Sequence, residues 1–161
     1  MPIYIKYGDI KGDVTAEGHK GTDGWVEVGS FQFGVGRGIS SPTGGGDDRE
    51  SSAPSVSEIV VTKDMDKSSF SWMEESLYGE GVAVQIDFCK TDKDKLEVYC
   101  TYKLTDAMVS GYSVSSGGDK PSESISLNFT KIEYEYIPMD KKNTGASPMK
   151  TGWDISSAKK V

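Results

Sequence analysis

The segment from Val109 to Pro138 reads VSGYSVSSGGDKPSESISLNFTKIEYEYIP and constrains the fold more than any other part of the chain. Two alternating runs flank the cluster GGDKP at 117–121, a combination typical of a turn between two hairpin strands. In the second run the apolar residues change parity, from Ile125, Leu127 and Phe129 to Ile132, Tyr134 and Tyr136. Because strand side chains alternate between two faces, this change predicts a bulge or bend at which the strand turns a barrel corner or enters a second sheet.

The remaining alternating runs predict an all-β domain. Together with the first hairpin they give strands near 2–7, 25–35, 56–63, 82–89, 95–104, 107–115, 123–137 and 151–155. A second change of parity occurs in the strand at 25–35, across Gly29 and Ser30. Two such strands in one small domain favour a small β-barrel of two packed antiparallel sheets, closed or nearly closed. The length of 161 residues fits a single domain over 1–161.

One helix interrupts the strands, at about 66–78. Phe70, Met73 and Leu77 have the spacing of an apolar stripe on one helix face. Gly79 follows as a stop signal. A helix of about ten residues is marginal alone. We therefore expect it to lie on a surface, either the outside of the barrel or a neighbouring molecule.

The segment 36–54 reads GRGISSPTGGGDDRESSAP and has no regular pattern. A structureless loop of this length is uncommon in a compact domain and is usually functional or disordered. Its single large apolar side chain, Ile39, cannot form a core. Two interpretations follow: a disordered surface loop, or a long extended arm ordered against a neighbouring subunit. The run Asp47-Asp48-Arg49-Glu50 could hold a weak ion, but it is more simply a mixed-charge stretch able to pair across an interface.

Charge and hydropathy exclude two classes of partner. The net charge is −7 and no basic run is present, which argues against nucleic acid. The apolar runs are only a few residues long, so we expect no membrane insertion. The first residues lack the pattern of a cleaved signal peptide, which predicts a chain that begins in the cytoplasm.

The two cysteines are expected to be free thiols. Alternation places Cys100 with the inward apolar residues and Cys89 on the outward face. Cysteines on opposite faces of a sheet cannot reach disulfide geometry, and free thiols fit a reducing compartment.

No pattern in the chain indicates catalysis, a cofactor or a metal. The glycines at 34–38 resemble a phosphate-binding loop, but no helix follows them. The sole histidine, His19, lies between turn residues and is expected to be solvated, so a Ser/His/carboxylate triad is not supported. Asp92 and Asp94 lack the downstream residues of a calcium loop. We therefore predict that the protein is not an enzyme.

Several segments closely resemble the haemolysin-coregulated proteins, the Hcp family, which are tube subunits of bacterial type VI secretion systems. The hairpin motifs VSGYS and SESISLNFTKI, at 109–113 and 122–132, carry most of the resemblance. IYIKYGDIKG at 3–12, EIVVTKDMDKSS at 58–69 and GWDI at 152–155 add to it in the family's order. The chain departs from the family in an enlarged turn at 21–24 and in Phe70, where a proline is expected at the helix start.

The resemblance implies a structural subunit that forms hexameric rings, which stack into a hollow, secreted tube. Its implied partners are a trimeric spike protein, a contractile sheath with its baseplate, and small effectors in the lumen. On this interpretation Gln32, Gln85 and Asp87 face the lumen, because they alternate against apolar residues. Contacts to a neighbouring subunit or ring would come from the arm residues Ile39, Asp47, Asp48, Arg49 and Glu50. The implied route runs from the cytoplasm to the extracellular space or a target cell, without a cleaved signal peptide.

An alternative function belongs to a different class, a monomeric β-barrel module that binds a glycan or a peptide. Such a module would expose an aromatic or apolar patch beside a few polar groups. The three tryptophans, Trp25, Trp72 and Trp153, are scattered along the chain, and each is expected to serve packing.

Overall fold

The computed structural model describes residues 1–41, 43–44, 49, 52–138 and 147–161. In chain order its strands are β1 Ile3–Tyr7, β2 Trp25–Val28, β3 Ser30–Gln32, β4 Val35–Gly36, β5 Ser55–Val56, β6 Ile59–Asp64, β7 Val82–Asp92, β8 Lys95–Ser115, β9 Ser122–Asn128, β10 Lys131–Tyr136, β11 Met149–Asp154 and β12 Lys159–Lys160. A short 3-10 helix at Gly21–Asp23 precedes β2, and the α-helix α1 covers Ser69–Tyr78.

The long strand β8 belongs to both halves of the main sheet. Its first half pairs with β7 and β10, and its second half pairs with β9. Leu104 pairs with Val84 while Ala107 pairs with Val82, so β8 carries one extra residue at this point. Asp106 lies in the segment that contains this extra residue and has a positive φ of 53°. The two strands expected at 95–104 and 107–115 are therefore one strand with a β-bulge, which bends it from one half to the other.

The parity change in the predicted strand at 123–137 marks a passage between sheets. β9 pairs with β6 and with the second half of β8, whereas β10 pairs with the first half of β8 and with β11. At the junction, Thr130 N–H donates to Thr105 O at 3.1 Å. The predicted hairpin is confirmed, since β8 and β9 pair from Met108 opposite Asn128 to Ser115 opposite Ser122.

The two halves of the main sheet form two layers around one core, but they do not close into a complete barrel. β2 pairs with β1, β3 pairs with β6, and the two strands are separated at Gly29. Gly29 N–H donates to Thr62 O at 2.7 Å across this gap. The expected all-β architecture, two antiparallel layers with one flanking helix, is confirmed. Full closure is not, because the strand breaks where the apolar parity changes.

The core lies between the two layers. Ile5 and Ile86 enter it from β1 and β7, while Ile59 and Ile125 enter from β6 and β9. All four side chains are fully buried. Burial of a side chain of this size contributes roughly 1.5–3 kcal/mol, so this shared core is the main source of stability.

A second, smaller cluster lies on the opposite face of β1, β2 and β7. Tyr4, Trp25 and Cys89 form it, and Val14 and Ala16 cover it. The sequence places Cys89 on this outward face correctly, and the thiol is buried there. The chain between β1 and β2 lies over this face and excludes water.

Helix α1 begins at Ser69, three residues later than expected. It packs on the barrel through Trp72, which is fully buried and lies 5.1 Å from the Tyr7 ring between centroids. The predicted apolar stripe points away from the barrel instead, and Phe70 is 67% exposed and Leu77 69% exposed. The apolar spacing predicts the helix correctly but not the face by which it packs.

Candidate assembly surfaces

The predicted arm is, in the residues described, a two-stranded ribbon. β4 and β5 pair at its base, Val35 opposite Val56 and Gly36 opposite Ser55. Hydrogen bonds continue outward from Gly38 N–H to Ser52 Oγ at 3.1 Å and from Ser40 N–H to Arg49 O at 2.8 Å. These hydrogen bonds join the two sides of the arm within one chain, and ordering of the arm against a neighbouring subunit stays a prediction.

Among the predicted arm contacts, Ile39 is 52% exposed. Arg49 lies across the ribbon, where its Nε donates to Ser40 O at 3.3 Å and its Nη2 donates to Ser41 Oγ at 3.5 Å. Asp47, Asp48 and Glu50 lie outside the described residues. Contact of these five residues with another subunit or ring stays a prediction.

The three predicted lumen residues differ in exposure. Gln32 at the end of β3 is exposed, and Gln85 in β7 is half-buried. Asp87 is only 3% exposed, and its carboxylate accepts hydrogen bonds from Gln85 at 3.0 Å and Thr101 at 2.9 Å. The protomer thus presents Gln32 to solvent and holds Asp87 inside, while the direction of a lumen stays a prediction for all three.

His19 is buried beside Asp87, which corrects the expectation that it is solvated. Its Nε2 lies 2.8 Å from Asp87 Oδ2. The ring stacks on Tyr4 at 4.9 Å between centroids and meets Trp25 edge-on at 4.4 Å. The other ring nitrogen, Nδ1, is buried with no hydrogen-bond partner among the described residues. No nucleophilic side chain contacts this nitrogen in the part of the chain described, and the pair serves to fasten the chain between β1 and β2 to β7.

A buried ionic cluster joins α1 to the layer formed by β6, β9 and the second half of β8. Lys63 of β6 contacts Glu123 of β9, with Nζ 2.6 Å from Oε1, and Lys63 also contacts Asp66 Oδ1 at 3.0 Å. Ser69, at the start of α1, donates to Glu123 Oε1 at 2.8 Å, and the Tyr112 hydroxyl donates to Glu123 Oε2. Burial, followed by this hydrogen bond, raises the pKa of Tyr112.

The sequence contains a signal for this cluster, which lies in charged residues at inward strand positions rather than in the apolar pattern. Lys63 shares parity with the buried Ile59 and Val61, and Glu123 shares parity with the buried Ile125 and Leu127. Opposite charges at inward positions of two neighbouring strands predict a buried ion pair, because a buried charge needs a partner.

An apolar groove of about 340 Å³ opens between the arm base and the sheet at β10 and β11. Aromatic and aliphatic side chains form its walls, and its lining is Phe33, Val35, Pro54, Val56, Tyr102, Ile132, Tyr134, Thr151, Gly152 and Trp153. The Tyr102 and Tyr134 rings lie 4.9 Å apart between centroids. Burial raises the pKa of Tyr102 to about 12. Trp153 lines this groove, a role beyond the packing expected for it.

No three side chains among the described His, Cys, Asp and Glu are arranged to hold a metal ion. No helix in the same part of the chain is long and apolar enough to cross a membrane. The geometry defines a class of protein: a β-rich domain with a projecting ribbon, an outward apolar helix and an apolar groove, suited to contacts with other proteins.

Comparison with known proteins identifies the family. Residues 4–136 match the family described as "Type VI secretion system effector, Hcp". The chain therefore belongs to the Hcp family of type VI secretion, whose members are structural tube proteins rather than enzymes. The family predicted from the sequence motifs is confirmed. No curated protein matches the chain.

Solved structures share the fold, and three of them show how similar they are. A structure described as that of a type six secretion system protein is 28% identical, with a TM-score of 0.89 and coverage of 99% of both chains. Hcp1 from Salmonella typhimurium is 21% identical, with a TM-score of 0.76 over 99% of this chain and 98% of that one. A type VI secretion system effector from Yersinia pestis is 22% identical, with a TM-score of 0.72 over 94% and 98%. The last two likenesses concern the fold alone.

Proposed function

We propose that this chain is the subunit of the inner tube of a type VI secretion system. Six copies form a ring, and the rings stack into a hollow tube that is secreted and whose lumen carries and chaperones small effector proteins. Membership of the Hcp family, matched over residues 4–136, is the observation that carries this proposal. The projecting ribbon and the exposed apolar side chains of α1 support it, because both are surfaces that a partner can cover.

The proposed partners follow from a tube at the centre of a contractile machine. A trimeric spike protein caps the tube, and a contractile sheath on a baseplate surrounds and expels it. The chain is made in the cytoplasm and leaves for the extracellular space or a target cell. Repeated sites along stacked rings let effectors of modest affinity stay bound, because they raise the effective concentration. This function requires no cofactor.

The oligomeric state tests the proposal directly. Light scattering after size exclusion should give the mass of six chains of 17.4 kDa each, and electron microscopy should show rings with a central hole. A particle with the mass of one chain across micromolar concentrations would contradict the tube function.

The predicted arm contacts have a separate test. Neutralising Arg49 and Glu50 together, as R49Q/E50Q, should shorten stacked assemblies while the unfolding midpoint of the isolated ring is unchanged. D119N/K120Q is a matched control, because it removes one charge of each sign at the exposed tip of the β8–β9 hairpin. Stacks of wild-type length in R49Q/E50Q would remove these two residues from the contact.

The apolar groove favours a second candidate function, that of a monomeric module that binds a glycan or peptide. Its volume of about 340 Å³ lies within the roughly 300–1,000 Å³ of protein binding pockets, and aromatic rings line it. A monomer that binds an oligosaccharide or peptide, and loses that binding in Trp153→Ala, would favour this module over the tube subunit.

A further inference from the structure

The chain between β1 and β2, residues 8–24, forms a strap over one face of the sheet. Its two ends lie together, because Lys6 of β1 pairs with Trp25 of β2. The strap is also bonded within itself, since Gly12 N–H donates to Gly21 O at 3.3 Å. A loop that is closed at its base can lift from the sheet as a local opening that leaves the β1–β2 ladder intact.

The side chain of His19 holds the strap to the sheet. Its Nε2 lies 2.8 Å from Asp87 Oδ2 of β7. Its ring stacks on Tyr4 of β1 and meets Trp25 of β2 edge-on. The thiol of Cys89 is fully buried in the cluster that the strap covers. Lifting of the strap would therefore bring both the imidazole and this thiol into water.

The hydrogen bonds around Asp87 indicate where the protons of this pair lie. Asp87 Oδ1 accepts from Gln85 Nε2 at 3.0 Å and from Thr101 Oγ1 at 2.9 Å. These donors stabilise the ionised carboxylate, so His19 supplies the proton of the Nε2–Oδ2 bond. The second ring nitrogen, Nδ1, is buried with no hydrogen-bond partner among the described residues. A second proton on the ring would bury a charged donor without an acceptor, which is costly.

The other titratable groups near the ring do not change charge between pH 7.5 and pH 5, or they are screened by water. Burial raises the pKa of Tyr4 above its ordinary value and the pKa of Cys89 to about 11, so both stay neutral. The charged residues on the same sheet face and beside His19 in the strap are exposed to solvent: Lys6, Glu17, Lys20, Glu27 and Lys103. The charge of the His19–Asp87 pair therefore governs this site.

We propose that the strap is a pH-sensitive cover, closed while His19 is neutral and released when the ring takes a second proton. In the open strap the imidazole is solvated, and both of its N–H groups bind water. A solvated imidazole takes up its proton at about pH 6.5. The open state thus binds more protons than the closed state, and each pH unit below about 6.5 should raise the open fraction up to about tenfold. This device belongs to the folded protomer and does not depend on the proposed tube function.

The two cysteines of the chain measure the opening. Cys89 lies under the strap, whereas Cys100 pairs with Phe88, whose side chain packs on the main core. Burial raises the pKa of both thiols to about 11, so their thiolate fractions change equally with pH. Labelling with a dithiodipyridine reagent from pH 7.5 to pH 5, read by mass spectrometry, gives the ratio of modified Cys89 to modified Cys100. The ratio should rise up to about tenfold per pH unit below about pH 6.5. A ratio that stays constant or falls would overturn the proposal.

His19→Gln is the matched variant, because a glutamine amide donates to Asp87 but takes up no proton in this range. It should keep wild-type circular dichroism and lose the pH dependence of the labelling ratio. The wild-type slope in this variant would overturn the role of His19.

Hydrogen exchange of the wild-type protein tests the same opening without a substitution. After correction for the intrinsic exchange rate, acid should speed exchange in residues 8–24 but not in β9. Equal acceleration in β9 would show that the whole domain opens, and it would overturn the local release of the strap.

Discussion

Lys63 and Glu123 face each other on neighbouring strands β6 and β9, with Lys63 Nζ 2.6 Å from Glu123 Oε1 and both side chains buried. Glu123 also accepts hydrogen bonds from Ser69 of α1 and Tyr112 of β8. One carboxylate thus connects three strands and the helix. Because burying an unpaired charge is costly, the pair is required as a unit.

Removal of one partner should therefore cost more than removal of both. We expect Glu123→Ala to lower the free energy of unfolding by about 3 kcal/mol, since Lys63 keeps only Asp66 as a carboxylate partner. The double variant Lys63→Met with Glu123→Leu should recover a large part of this loss. Urea unfolding of both single variants and the double variant measures the coupling. Additive losses would show that the two charges act independently.

The two faces of α1 should respond oppositely to truncation. Trp72 is fully buried, and its Nε1 donates to Ser68 Oγ at 3.1 Å, so Trp72→Ala should cost about 3–5 kcal/mol. Phe70→Ala, at a side chain 67% exposed, should change the stability of the monomer by less than about 0.5 kcal/mol. Thermal or urea unfolding below the assembly concentration measures both. A comparable loss in Phe70→Ala would mean that Phe70 packs on its own domain.

The sequence predicts those features of the fold that depend on alternation. The parity changes at Gly29 and at Phe129–Thr130 mark the points where β2 gives way to β3 and β9 to β10. The bulge at Asp106 lies between the runs at 95–104 and 107–115, which the sequence predicts as two strands, because a pattern along one strand does not tell a bulge from a break. Only the partner strand β7 decides between them, by pairing continuously past the bulge.

The sequence does not predict how separate segments cover one another. His19 and Cys89 are buried because the chain between β1 and β2 lies over the outward face of the sheet. Periodicity identifies the two faces of a strand but not what covers each one. The outward face of α1 illustrates the same limit, since Trp72 at a single position outweighs three apolar side chains in orienting the helix.

Burial of the two thiols predicts a loss of stability at alkaline pH. Burial raises the pKa of Cys89 and of Cys100 to about 11. In the unfolded chain a thiol ionises near pH 8.5, so between that pH and 11 the unfolded state binds fewer protons than the native state. The stability that the two buried, protonated thiols contribute is fully present below about pH 8.5. It is lost as pH rises, and the free energy of unfolding falls by up to about 1.4 kcal/mol per pH unit for each thiol.

Urea unfolding in steps between pH 8 and pH 10 measures this slope. The variant Cys89→Ala with Cys100→Ala should have a shallower slope, although cavities lower its stability throughout. An unchanged slope in that variant would assign the alkaline loss to other groups. Native thiols should also react with iodoacetamide at pH 8 about 100-fold more slowly than in urea, since a pKa near 11 leaves little thiolate.

Two of the predicted lumen residues, Asp87 and Gln32, should respond differently to truncation. Asp87 is buried and accepts hydrogen bonds from Gln85 and Thr101 beside His19, so Asp87→Ala leaves three polar side chains without their partner. We expect a loss of about 2–3 kcal/mol on urea unfolding, whatever the state of assembly. Gln32 is exposed, and Gln32→Ala should leave stability within about 0.5 kcal/mol of the wild type.

If Gln32 faces the lumen, Gln32→Ala rings of normal size should retain less of a co-expressed effector on purification. Equal retention by Gln32→Ala and wild-type rings would exclude Gln32 from the cargo surface.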